Sequence, residues 1–266
     1  MTMILRAAWD YMLLAVGIVL FALVCGLWAV VALLLLAVLP ASAGRRVGRF
    51  GAMWVFRIYL GAMEALGAWR LDLRALDSLA GMGPLIVAAN HPCLLDAVLI
   101  VSRLPDALCV MKSALLKNFF LGPAAKLARY VRNDSLLRLA ARAARELRHG
   151  GQLVIFPEGT RTVGDPIGPL TDAVGAISRR SGIPVQTVII ETDSRFLGKD
   201  WPLAARPGLP LTYRIRLGRR FDAPRDVRAF TAELQRYFTR ELATRGAAGT
   251  AQPVPPGVTD VPDPRG

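Results

Sequence analysis

Two short blocks in this chain hold residue types that do chemistry. Asn90-His91-Pro92-Cys93-Leu94-Leu95-Asp96 offers an imidazole with a carboxylate five residues on, and Phe156-Pro157-Glu158-Gly159-Thr160-Arg161 offers a carboxylate, a glycine and a guanidinium. Imidazole beside carboxylate is the base-and-orienter half of a catalytic triad. The carboxylate accepts a hydrogen bond from one ring nitrogen and leaves the other free to take a proton. No Gly-x-Ser-x-Gly elbow supplies a nucleophile, and Cys93 is too close to His91 in sequence for an easy nucleophile–base alignment. The base would therefore activate a hydroxyl carried by the substrate. Arg161 adds a planar fork suited to phosphate or carboxylate.

The elements around each block must bring these groups together. Leu85 to Ala89 reads as a buried strand, and Pro92 suits the first position of a following helix. On one continuous helix His91 and Asp96 would lie about 500° apart in rotation and diverge by about 140°, so they meet only if His91 folds back over the first turn. Gly151 to Phe156 reads as a turn and a second buried strand, which Pro157 and Gly159 stop. Glu158, Thr160 and Arg161 then fall at its carboxyl end, where open α/β sheets bind ligands. Taken singly, the first block also suits a histidine capping a helix, and the second a surface Glu–Arg pair.

In this order and separation the two blocks resemble the glycerolipid and lysophospholipid acyltransferases, the family of the 1-acyl-sn-glycerol-3-phosphate acyltransferases. Asn90 to Asp96 matches the family's Asn-His-x4-Asp motif, and Phe156 to Arg161 matches Phe-Pro-Glu-Gly-Thr-Arg at every position. The resemblance spans roughly Arg70 to Leu217. It implies that His91 is the general base, that Asp96 is its partner, and that Glu158, Gly159, Thr160 and Arg161 contact substrate. A second motif, glycine followed by a basic residue, fits Gly122 and the segment from Ala128 to Arg132, with Arg132 as a phosphate contact. The fourth motif is matched less well, because Ile183-Pro184-Val185-Gln186 lacks the second proline, and Thr171 stands where a lysine is common. Those departures leave room for an amino-acid lipid or another specialised acceptor. The implied reaction moves a fatty acyl group from acyl-CoA or acyl-ACP, with no bound cofactor, to 1-acyl-sn-glycerol-3-phosphate, giving phosphatidic acid. A catalytically silent lipid-binding homologue and a hydrolase are the rival readings.

Met12 to Leu39 contains no charged residue. As one helix it would be about 42 Å long, against a hydrocarbon core of about 30 Å. It spans with tilt or, broken at Gly17 and Gly26, forms a hairpin seated in one leaflet. Ala41-Ser42-Ala43 resembles a signal cleavage site, but the apolar run is too long for a signal core and Arg45, Arg46 and Arg49 follow at once. These arginines favour retention at the inner membrane with the catalytic domain on the cytoplasmic side. Phe50 to Trp69 reads as an amphipathic surface helix. The net charge of +13 suits anionic lipid headgroups, while zinc-finger spacing and aromatic RNA-binding signatures are missing, so no nucleic acid is expected. Three cysteines give no disulfide framework, and no metal-ligand spacing is visible.

The order of patterns implies an α/β fold, a mixed sheet flanked by helices as in the glycerolipid acyltransferases, with an N-terminal membrane-anchoring helical segment. The expected division is 1–69 for anchoring helices, 70–220 for the catalytic domain, 221–245 for a C-terminal helix and 246–266 for a disordered tail. His149, after an arginine-rich helix, is expected to cap that helix at its C-terminus.

Overall fold

The structure is a computed structural model that describes residues 2–163, 166–199, 201–202 and 205–246. Two long helices come first, α1 (Thr2–Val38) and α2 (Ala41–Ala65). They are followed by β1 (Trp69–Asp72), a 3-10 turn (Arg74–Leu79), β2 (Leu85–Ala89), α3 (Asp96–Val101), β3 (Ala107–Lys112), α4 (Ser113–Leu116) and α5 (Gly122–Leu127). The remainder is β4 (Val131–Asn133), α6 (Leu136–Arg148), β5 (Gln152–Ile155), α7 (Ala173–Ser181), β6 (Val185–Thr192), β7 (Leu211–Phe221) and α8 (Val227–Gly246). The expected tail beyond residue 246 lies outside the described residues.

Among the described residues seven strands form one mixed sheet in the order β1-β7-β6-β2-β5-β3-β4. Its pairs are parallel except β6 with β7. β2 is central, and its five side chains are buried because both faces are covered. Leu85, Val87 and Ala89 enter a core shared with α1, α2 and α3, while Ile86 and Ala88 enter a second core shared with α6, α7 and α8. Leu13 of α1 and Phe238 of α8 are buried in these same cores, so both helices pack into the same body as the sheet.

The N-terminal helix departs from the hairpin alternative. α1 runs unbroken through Gly17 and Gly26, and the chain turns at Leu39-Pro40 instead. The glycines are close-approach positions: a Cβ at Gly17 would lie 3.0 Å from Met63 Cε, and one at Gly51 would lie 2.1 Å from the Trp28 ring. α2 begins earlier than expected, and it buries Arg49, Ala52, Met53, Tyr59, Leu60 and Met63 along one helical stripe while Phe50, Trp54 and Ile58 stay exposed. Arg49 is 1% exposed; its Nε donates to Ala128 O and its NH2 to Glu146, which Arg45 also engages. Of the three arginines that favour cytoplasmic retention, Arg49 is thus buried and Arg45, partly buried, is engaged with the same carboxylate. β4 and the 3-10 turn were not expected; β4 is three residues long and too short to show alternation.

Candidate active site

Beyond β2 the chain is held by a side chain that imitates backbone. Asn90 Nδ2 donates to Ile190 O at 2.9 Å, and Ile190 N donates to Asn90 Oδ1 at 2.8 Å, extending the join between β2 and β6 past the last ladder pair. His91 and Pro92 follow as irregular chain, and α3 begins at Asp96 rather than at Pro92. The late start removes the 140° divergence, because the residues between the two groups are not helical. His91 Nδ1 lies 2.7 Å from Asp96 Oδ2. The imidazole stacks on Phe156 with ring centroids 3.9 Å apart, which fixes the ring plane.

Asp96 is fully buried and has both oxygens occupied. Cys93 N donates to Oδ2 at 2.8 Å, and Cys93 Sγ donates to Oδ1 at 3.1 Å. Burial pushes the Asp96 carboxyl above its ordinary value, against the opposing pull of the bonds from His91 and Cys93. The Cys93 thiol is 1% exposed and pushed well above its ordinary value, first by burial and then by the neighbouring Asp96 charge. A thiol so placed stays protonated and serves as a donor, not a nucleophile. Spacing had set Cys93 aside as a nucleophile without revealing this donor role. Behind it the Tyr213 hydroxyl is buried against Cys93.

Glu158 faces inward, whereas the motif reading had it contact substrate. Oε1 accepts from Thr162 Oγ1 at 2.7 Å and from His91 N at 3.3 Å, and Oε2 accepts from Gly168 N at 3.0 Å. Thr162 N in turn donates to His91 O at 2.8 Å, so the two blocks clamp the His91 backbone from both sides. Gly159 makes the turn at φ +70°, a conformation glycine adopts without strain. Thr160 is exposed. Arg161 NH1 donates to Leu197 O at 3.0 Å and Gly198 O at 2.7 Å, while Leu94 N donates to Leu197 O. The segment after β6 therefore closes over the site through Leu197, itself at φ +57°, and nothing in the sequence marks it.

Thr171 bonds Pro157 O through both its backbone N (2.9 Å) and Oγ1 (2.8 Å), a tie that carries no charge toward a ligand. Arg132 lies on β4, three strands from β2, about 14 Å by strand spacing. Its Nε pairs with Asp134 Oδ1 at 2.5 Å. His91, Asp96, Glu158 and Arg161 are brought together; Arg132 is not. His149 caps α6 as expected.

An apolar cavity of about 100 Å³ opens between α1, α2 and the segment before β7, lined by Leu13, Tyr59, Trp69, Leu95, Leu197 and Leu209. Leu95 precedes Asp96, and Leu197 holds Arg161, so the cavity reaches the dyad's own loop. Among the described residues no cluster of three or more histidine, cysteine, aspartate or glutamate side chains is arranged to hold a metal ion.

Residues 70–191 match the sequence profile described as Acyltransferase. The chain is 24% identical over 231 residues to a 1-acyl-sn-glycerol-3-phosphate acyltransferase of Pseudomonas aeruginosa, covering 81% of this chain and 84% of that protein. Its fold is similar to the crystal structure of the 1-acyl-sn-glycerophosphate acyltransferase of Thermotoga maritima. That match has a TM-score of 0.64 and 15% identity, over 92% of this chain and 99% of the other.

Proposed function

We propose that this acyltransferase, whose residues 70–191 belong to the family of that name, moves a fatty acyl group from a thioester to the free hydroxyl of a lysophospholipid at a membrane surface. The observation that carries this reading is the His91–Asp96 pair beside a thiol that cannot act as nucleophile. Asp96 holds Nδ1 protonated, so Nε2 is the nitrogen that accepts a proton. The acceptor hydroxyl loses its proton to Nε2 as its oxygen attacks the thioester carbonyl. The tetrahedral intermediate then expels the thiolate, which takes the proton from the imidazolium, and no covalent enzyme intermediate forms. General-base assistance contributes about 10² to 10⁴ in rate, the rest coming from positioning and charge stabilisation.

In this reading His91 and Asp96 are catalytic, Arg161 faces the acceptor's phosphate, and Gly159 and Thr160 shape the turn beside it. Glu158 acts through His91 as a positioning residue. The apolar cavity beside Leu95 takes part of an acyl chain. Both Pseudomonas and Thermotoga relatives bear names that point to 1-acyl-sn-glycerol-3-phosphate as acceptor, with phosphatidic acid as product. The uncharged tie made by Thr171, where a lysine is common, favours as a second reading an acceptor without a phosphate, such as an amino-acid lipid.

α1 is long and apolar enough to cross a membrane. Yet Asp10, Leu13, Cys25, Ala29 and Ala32 are buried along one face, about 33 Å of helix, while Val19, Leu23, Leu27 and Leu34 are exposed on the other. Asp10 is 2% exposed and paired with Arg206 at 2.9 Å. A helix fastened sideways to a charged body over the thickness of a hydrocarbon core would draw that body in if it crossed, so α1 and α2 lie in the interface with the site at the lipid surface. The inner membrane, cytoplasmic face, fits a donor made in the cytoplasm.

A lysolipid screen with labelled acyl donor, resolved by mass spectrometry, tests the reading. Transfer to a lysophospholipid supports it. Saturable lipid binding without transfer to any acceptor, or release of free fatty acid alone, would replace it.

A further inference from the structure

A second polar cavity opens at the far edge of the sheet, about 400 Å³ in volume, between α4, α5, β4 and α6. Lys117, Lys126, Arg129, Arg132, Arg142 and Arg145 line it. Asp134 pairs with Arg132 and Arg142, and Glu146 is taken by Arg45 and Arg49 from α2. Among the described residues Lys117, Lys126, Arg129 and Arg145 have no carboxylate partner, so four like charges converge on one cleft. The backbone adds an independent sign. α5 ends in a Schellman turn, with Tyr130 N donating to Ala125 O and Arg129 N to Lys126 O. The position that glycine usually fills in that turn holds Arg129 at φ +60°, a conformation other residues adopt rarely. Strained non-glycine residues gather at ligand sites.

Distance decides what anion belongs there. Val87, Val154 and Cys109 share one row of the sheet, and His91 and Ser113 each lie four residues past that row. Ser113, at the mouth of the cleft, is therefore two strand spacings from His91, about 10 Å, and Arg132 is about 14 Å away. In a lysophospholipid whose free hydroxyl neighbours the phosphate-bearing carbon, about four bonds separate that hydroxyl from phosphorus, or roughly 5 Å. An acceptor reacting at His91 cannot place its phosphate in this cleft. A phosphopantetheine thioester puts about thirteen bonds between sulfur and phosphorus, which spans about 15 Å when extended.

We propose that this cleft binds the nucleotide end of coenzyme A, the adenosine 3′-phosphate 5′-diphosphate, while the pantetheine arm runs across the carboxyl ends of β3 and β5 to the thioester at His91. A diphosphate and a phosphomonoester together carry about four negative charges near neutral pH, matching the four unpaired cations. The cavity also falls in the size range of small-molecule sites, about 300 to 1,000 Å³. Arg132 then serves the donor rather than the acceptor. The inference rests on the proposed acyl transfer only for the donor's identity, since occupancy of the cleft is measurable without turnover.

The test uses the full chain in lipid nanodiscs and the double variant Arg129→Gly/Arg145→Gln. Glycine suits φ +60° and relieves strain, so the fold is kept; thermal unfolding at or above the wild-type temperature verifies it. Adenosine 3′,5′-bisphosphate, which has no thioester, is titrated by calorimetry. The expected result is binding to wild type and to His91→Ala alike, weakened at least tenfold in the double variant. The ratio of kcat/KM for acyl-CoA to that for acyl-pantetheine, which lacks phosphate, should also fall at least tenfold. Absence of bisphosphate binding to wild type, or an unchanged donor ratio, overturns the proposal. A loss confined to acyl carrier protein thioesters would make the cleft a protein-docking site, and a loss confined to phosphatidylglycerol vesicle binding would make it a headgroup site; either overturns it. If wild type transfers no acyl group yet binds the bisphosphate through these residues, the acyl-transfer reading fails while the cleft assignment stands.

Discussion

Replacing Asp96 with asparagine changes one atom at the centre of the proposed chemistry. The carboxylate accepts from His91 Nδ1, from Cys93 N and from Cys93 Sγ, with no exposure to solvent. An amide has one acceptor oxygen and one NH2 group. His91 Nδ1 and Cys93 N meet the same oxygen, Oδ2, so the amide keeps its oxygen there and turns its NH2 toward Cys93 Sγ. The tautomer with Nε2 free is kept, but the negative charge that stabilises the imidazolium is gone, and kcat should fall about 10²- to 10³-fold, about 2.7 to 4 kcal/mol of barrier. Thiol release from an acyl thioester, followed with and without lysolipid, measures it. A variant within tenfold of wild type would refute the assignment of Asp96 as the charged partner of His91. Stability gives a second readout. Burial raises the Asp96 carboxyl, so the folded chain holds that proton more tightly than the unfolded chain does. The stability linked to it is present in full below the unfolded value and is lost as pH rises through the raised folded value. The Asp96→Asn variant has no such proton. The melting temperature of wild type minus that of Asp96→Asn should therefore increase as pH falls toward the ordinary carboxyl value of about 4, and a difference that is flat or shrinks on acidification would contradict the burial argument.

Glu158→Gln should lower kcat about 10- to 100-fold with little change in acceptor KM, because the carboxylate holds the His91 backbone; a rise in KM alone would restore Glu158 as a substrate contact. The Cys93 thiol should resist iodoacetamide at pH 8 in the folded protein and react on unfolding, being 1% exposed and held protonated; mass-spectrometric labelling of the native protein at Cys93 would contradict that. On α1, Leu23→Glu/Leu27→Glu should weaken vesicle binding with the melting temperature kept, since both side chains are exposed, whereas Leu13→Ala, 2% exposed, should destabilise by about 2 to 5 kcal/mol. Vesicle flotation and thermal unfolding separate the two, and unchanged flotation of the glutamate variant would remove α1 as the membrane contact.

Residue type and spacing made the strands β2, β5 and β6 readable, along with the blocks that follow them, because each is a short, largely apolar run that starts just after Gly or Pro. The pairing of His91 with Asp96 was readable as a requirement, but its route was not. Pro92 favours a helix start locally, yet the chain delays α3 to Asp96 because the carboxylate is wanted by Cys93 N and His91 together. Glu158 was assigned outward because a charged residue at a strand's carboxyl end normally faces ligand, and its three internal donors are brought together by tertiary structure alone. Arg49 shows the same limit, since an arginine after an apolar helix reads as headgroup-facing until Glu146, 97 residues away, is placed against it. Gly17 and Gly26 read as breaks in a helix when isolated; against Met63 and Phe120 they are points of close packing.

The measurement that bears most directly on the account is single-turnover acyl transfer from acyl-CoA to a lysophospholipid in vesicles, by wild type and by His91→Ala, with quenched samples examined for both phospholipid and acyl-protein. The account predicts stoichiometric new ester from wild type, a loss of about 10² to 10⁴ in rate for His91→Ala with an unchanged melting temperature, and no acyl-protein at any time. Wild-type rates from the folded His91→Ala protein, or an acyl-enzyme that forms and decays at the rate of transfer, would contradict it.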